Sequence, residues 1–113
     1  MRRTFFFGVA LLYASLSCEA TEGMHLYLKH CAACHGQDGE RKAWNVTDPI
    51  AGWPAEAVKK ALVAYKEHSR DQYGYGDYMH PQISKYSDKE IDKIARYIAI
   101  LHNENTVLAA KHR

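Results

Sequence analysis

Cys31-Ala32-Ala33-Cys34-His35 is the stretch on which the reading of this sequence turns. Two cysteines separated by two residues and followed at once by histidine are the sequence form of covalent c-type haem attachment. The spacing follows from the chemistry. Each thiol adds to one of the two haem vinyl groups, so both sulfurs must reach one edge of the same porphyrin. His35 then lies under the ring, where an imidazole nitrogen can take an axial iron position. Two other readings compete. A thioredoxin-like dithiol needs a strand before the motif, whereas Met24 to His30 reads as helix. A zinc site needs further ligands at close, paired spacing; there is no second cysteine pair, though histidines elsewhere could contribute.

Outward from this motif, the N-terminus reads as a secretory signal over residues 1–20. Arg2 and Arg3 precede a short apolar run, Phe5 to Leu16, and small residues follow. The run is too short to span a membrane. Cleavage after Ala20 uses Cys18 and Ala20 as the two recognised positions. The third cysteine, Cys18, leaves with the signal on that reading. Ser15-Leu16-Ser17-Cys18 also loosely resembles a lipoprotein cleavage site, in which Cys18 would carry a lipid anchor. Export, here to the periplasm, is coherent with thiols that receive haem outside the cytoplasm.

Without its first 20 residues the chain keeps 13 basic and 12 acidic side chains. That near-neutral balance argues against nucleic acid as a partner. The remaining 93 residues form one domain, 21–113, marginal on its own core. A mostly apolar macrocycle gives such a chain an internal surface to pack on.

Three helices are expected. Thr21 to Cys31 is the first, with Met24, Tyr27, Leu28 and Cys31 on one face. It delivers the motif at its C-terminal end, and Gly36 stops it. Gln37 to Gly52 reads as a polar loop. Pro54-Ala55-Glu56 opens the second helix, with Ala57, Val58, Ala61, Leu62 and Tyr65 inside and Lys59, Lys60, Lys66 and Glu67 in water. Ser69 to Tyr78 is a second loop, holding Gly74 and Gly76. The third helix starts at a capping box, Ser87 to Glu90, and buries Ile91, Ile94, Ala95, Ile98 and Leu101. Asn103-Glu104-Asn105 interrupts it, and 102–113 reads as a flexible tail or a further short turn. No strand pattern is present, so the fold class is all-α.

Haem iron has a sixth position, and Met79 is the main candidate for it. Met1 goes with the signal, and Met24 precedes the motif on the first helix. A thioether favours Fe(II), which raises the reduction potential and suits electron transfer. His80 is the alternative. Adjacent residues on extended backbone point apart, so only one of the two reaches iron. His25, His30, His68, His102 and His112 are expected at the surface.

With those residues in hand, the chain resembles a class I cytochrome c. It is similar to the small bacterial single-haem group, cytochrome c4-like modules and the haem subunits of sulfide-oxidising flavocytochromes. The resemblance rests on Tyr27, Cys31 to Gly36, Ile50-Ala51-Gly52, Met79 to Ile83, Ser87 to Ile91 and Ala95 to Ile98. It implies the cytochrome c fold, three main helices and long loops around one haem c, covalently held by Cys31 and Cys34. It implies His35 and Met79 as axial ligands and a periplasmic electron carrier that meets redox partner proteins transiently, not an enzyme. It also implies a proline carbonyl, here of Pro49, holding the His35 ring proton, and an aromatic of the last helix, Tyr97, against the first. Trp44, Trp53 or Arg41 is implied as a propionate contact. Two alternatives stay open: the haem subunit of a multi-chain oxidoreductase, and a ligand-sensing haem protein with a labile sixth ligand.

Overall fold

The computed structural model describes residues 18–102, and among these the chain forms five helices and no strand. They are α1 over 18–30, α2 Ala32–His35, α3 Ala55–Lys66, α4 Gly76–Ile83 and α5 Asp88–Ile100. A 3₁₀ turn, Ala43–Asn45, interrupts the long loop before α3. The apolar run at Phe5 to Leu16, the tail beyond 102 and His112 lie outside the described residues.

α5 is the helix the others pack on. Its capping box forms as expected: Ser87 Oγ accepts from the Glu90 amide at 3.2 Å, and Glu90 Oε1 accepts from the Ser87 amide at 3.1 Å. Two otherwise orphaned donors are thereby satisfied. Behind the cap, Ile91, Ile94, Ala95 and Ile98 are buried. Each isoleucine withdrawn from water contributes about 1.5–3 kcal/mol. Val58 and Leu62 of α3, Ile83 of α4, and Tyr86 complete this core together with Tyr27 of α1. The helix ends earlier than expected. Leu101 is its C-cap, in extended conformation, so the interruption falls before Asn103.

α1 buries the expected stripe except at Leu28. Tyr27 is fully buried and Met24 and Cys31 are half-buried, whereas Leu28 is 45% exposed and Gly23 and Leu26 face inward in its place. Gly23 is the cause. A Cβ there would lie 2.5 Å from the Lys93 carbonyl oxygen and 3.2 Å from Tyr97 Cβ. The backbones of α1 and α5 therefore touch at this point, and the crossing sets which way α1 is rotated. Tyr97 packs on Tyr27 with ring centroids 5.4 Å apart. The aromatic contact between last and first helix is thus where the sequence placed it. The Lys93–Glu22 ion pair closes the same crossing from outside.

α3 opens at Pro54 with Glu56 in its first turn, as expected. Ala57 turns outward, so the buried stripe is narrower than the five residues anticipated. Two of its lysines are not merely solvated. Lys66 donates to the Tyr86 carbonyl at 2.6 Å, and Lys59 pairs with Asp92 at 3.4 Å, holding α3 on α5.

The largest departure is α4. Tyr78-Met79-His80-Pro81 was expected on loop and extended backbone, and it is helical. Asp71, five residues ahead of Gly76, accepts that residue's amide at 2.7 Å and seeds the first turn. Pro81 lacks the amide that would reach the Asp77 carbonyl. Both residues are exposed, so water can serve that carbonyl.

Candidate cofactor site

α1 ends one residue before Cys31, and α2 carries Ala32 to His35 as a single turn. Gly36 stops that turn with φ 85°, a left-handed conformation that favours glycine, and its amide reaches the Ala32 carbonyl at 2.8 Å. The turn is anchored from inside. Tyr27, fully buried, donates its hydroxyl to the Gly36 carbonyl at 2.6 Å. One side chain of α1 thus holds the residue directly after His35.

Both cysteines of the turn are free thiols. Cys31 is half-buried against the core and Cys34 is exposed. Burial pushes the Cys31 thiol up to about 12, so it stays protonated at neutral pH. His35 is 9% exposed, and burial lowers its pKa from the ordinary histidine value. Its imidazole is therefore kept neutral, the form that binds a metal. Its Nδ1 is buried and has no hydrogen-bond partner.

That orphaned nitrogen corrects one expectation. The Pro49 carbonyl does not hold the His35 ring. The amides of Ile50 and Ala51 both donate to the Gly39 carbonyl, at 3.0 and 3.1 Å. These bonds tie the Pro49 segment to Gly39 rather than to the histidine. The His35 carbonyl is itself taken by the Arg41 amide at 3.0 Å.

Met79 sits on α4, half-buried against the same core that takes Cys31. Its neighbour His80 is engaged elsewhere. His80 Nδ1 lies 3.1 Å from the Tyr65 carbonyl, and its ring stacks on His68 with centroids 3.5 Å apart. His25, His68 and His102 are exposed as expected, whereas His30 is half-buried edge-on against Tyr86 and 3.1 Å from Lys85 Nζ. Of the three implied propionate contacts, Arg41 donates to the Ala33 carbonyl at 3.2 Å. Trp53 packs on the core, and Trp44 stands edge-on to Tyr75 and Tyr78 at 5.0 and 4.6 Å.

The residues present fit a covalently held haem. Two reduced thiols stand at haem spacing on one turn, beside a buried neutral imidazole with an unpaired nitrogen. Among the described residues, three buried side-chain polar atoms lack partners, namely His35 Nδ1, Arg70 Nε and Tyr86 Oη. Native interiors leave few such groups, and each calls for a reason.

The cytochrome c family model matches residues 20–102, so the chain belongs to the cytochrome c family. It is 36% identical over 76 residues to cytochrome c-553 of Desulfomicrobium norvegicum, covering 67% of this chain and 91% of that one. A cytochrome c-553 of Helicobacter pylori is 31% identical over 66% of this chain and 73% of its own length. Cytochrome c4 of Azotobacter vinelandii is 32% identical over 64% of this chain but only 34% of its own length. The chain is accordingly an electron-transfer haem protein with the all-α cytochrome c fold and one covalently bound haem c. Among the described residues no helix is long and apolar enough to cross a membrane.

Proposed function

We propose that this chain is an exported single-electron carrier whose haem is joined to Cys31 and Cys34 and ligated by His35 and Met79. The observation that carries the ligand assignment is the buried, neutral His35 held directly behind the two thiols. Haem bound there supplies a reversible Fe(III)/Fe(II) couple. The chain's own part is to orient, to exclude water and to set polarity. Tyr27 holds Gly36, the residue directly after His35. α4 presents a thioether on the core side, while its neighbouring imidazole is occupied by the Tyr65 carbonyl, which supports Met79 over His80. No group in the arrangement serves as general base or nucleophile, so we assign it no catalysis of its own. Its partners are redox proteins met transiently.

Residues 1–20 act as the export signal in this reading, and the domain begins at Thr21. Cleavage there trims α1, which is already helical over 18–20, without touching Gly23 or Tyr27. The test is an oxidised and reduced absorption spectrum of protein matured in a host competent in haem attachment. The oxidised protein should show the weak near-infrared sulfur-to-iron band. Met79→Ala should abolish it and lower the potential, and His80→Ala should keep it. A band that survives in M79A overturns the assignment.

A further inference from the structure

We propose that His80 is a positioning residue for the methionine ligand, its imidazole pinning α4 to the end of α3 and so slowing withdrawal of Met79 from the iron. The inference deepens the reading above and rests on it for Met79 as ligand.

α4 is weakly held by its own backbone where Met79 sits. The helix is eight residues long, and Pro81 inside it has no amide to give the Asp77 carbonyl. The two ends are fixed from outside. Asp71 Oδ1 accepts the Gly76 amide at 2.7 Å, and Ile83 is buried in the core. Between them the turn 77–81 lacks one ladder bond, and Met79 is only half-buried. Among the described residues, one side-chain hydrogen bond joins this turn to another helix, that of His80 Nδ1 to the Tyr65 carbonyl at 3.1 Å. A carbonyl only accepts, so Nδ1 carries the proton.

The end of α3 is built to receive that donor. Tyr65 lies in the last turn, where carbonyls have no partner further along the helix and the dipole is negative. His68, just past this end, holds a left-handed backbone with φ 56°. A residue with a Cβ rarely adopts that conformation, and it persists where the surroundings enforce it. Here it goes with a stacked pair of imidazoles, the His68 and His80 rings lying 3.5 Å apart at 28°. The His80 ring is thus bonded at one atom and backed on one face. Successive residues of a helix point about 100° apart. A ring fixed on α3 therefore sets the rotation of α4, and with it the direction of Met79. Any movement of α4 that takes the thioether off the iron must break the His80 bond.

The measurement is displacement of Met79 in the oxidised, haem-loaded protein by cyanide at saturation, where departure of the methionine limits the rate. His80→Ala should keep the near-infrared sulfur band yet exchange roughly three- to tenfold faster, the change expected for one hydrogen bond lost. His80→Asn places an amide N–H near the position of Nδ1 and should restore most of the native rate. An unchanged rate in H80A overturns the proposal, whatever its unfolding midpoint, and so does an H80N protein as fast as H80A. If H80A does not mature, the unaltered reduced protein decides by proton resonance. The His80 Nδ1–H should be protected from exchange with solvent, and a freely exchanging proton overturns the proposal. An absent sulfur band in the unaltered protein overturns this proposal together with the ligand reading. A present band with unchanged exchange in H80A overturns this proposal alone.

Discussion

The Tyr27 hydroxyl meets the Gly36 carbonyl at 2.6 Å, and the same carbonyl accepts the longer bond of the Gly39 amide at 3.3 Å. Tyr27→Phe leaves that carbonyl with the Gly39 amide alone, so the loss is that of one buried hydrogen bond, about 0.5–1.5 kcal/mol. Denaturant unfolding of the haem-loaded variant should read a loss of that size. The same residue gives a pH dependence. Burial raises the Tyr27 phenol above its ordinary value of 10.0. The unfolded chain releases that proton near pH 10 and the folded chain holds it, so the folded state binds more protons above pH 10 and loses stability as pH rises. Thermal unfolding followed from pH 8 to 12 should show the fall, and Tyr27→Phe should flatten part of it. Tyr73, Tyr86 and Tyr97, and Lys93 through its bond with Glu22, are shifted the same way and add to the fall. At this scale the sequence was informative where a residue type is chemically demanded. The pair of thiols and the histidine behind them are legible, and the family resemblance puts Tyr97 against the 24–28 stretch that holds Tyr27. The exposure of Leu28 is not legible, because the rotation of α1 depends on Gly23 meeting a carbonyl 70 residues away.

Among the elements, α5 and α4 make a pair of opposites. α5 announces itself through a capping box and a clean 3.6-residue repeat. Ser87→Ala removes the cap and should cost about 1 kcal/mol, read as a lowered denaturant midpoint with unchanged slope. α4 carries the signs of a loop instead: a glycine two residues ahead of it and another as its first residue, a proline within it, and a capping aspartate five residues upstream of its first residue rather than adjacent. Asp71→Ala should therefore act locally. It costs about 0.5–2 kcal/mol, the range of a lost cap, and should weaken the near-infrared sulfur band on warming well before the helical signal of the whole protein is lost.

For the molecule as a whole, the first and last described helices meet backbone to backbone. Gly23→Ala inserts a methyl group 2.5 Å from the Lys93 carbonyl oxygen, and neither backbone can yield without parting the helices. Overpacking of this kind costs about 1–3 kcal/mol. The measurement is global unfolding of the haem-loaded protein, and the loss should appear equally by absorbance and by helical signal because the crossing belongs to the shared core. The all-α class was readable from periodicity. The crossing was not, since it depends on two distant segments at once.

That crossing also orders events in time. Tyr27, Ile91, Ile94 and Ile98 lie in one cluster, so the hydrophobic centre cannot close until the chain has been delivered through α5. Until then Cys31, later half-sheltered, stands open to any enzyme that must reach its sulfur. A chain released without its last helix should keep that thiol as reactive as in denaturant. Shielding of the sulfur thus waits on arrival of the final helix, leaving an interval in which the porphyrin can be joined.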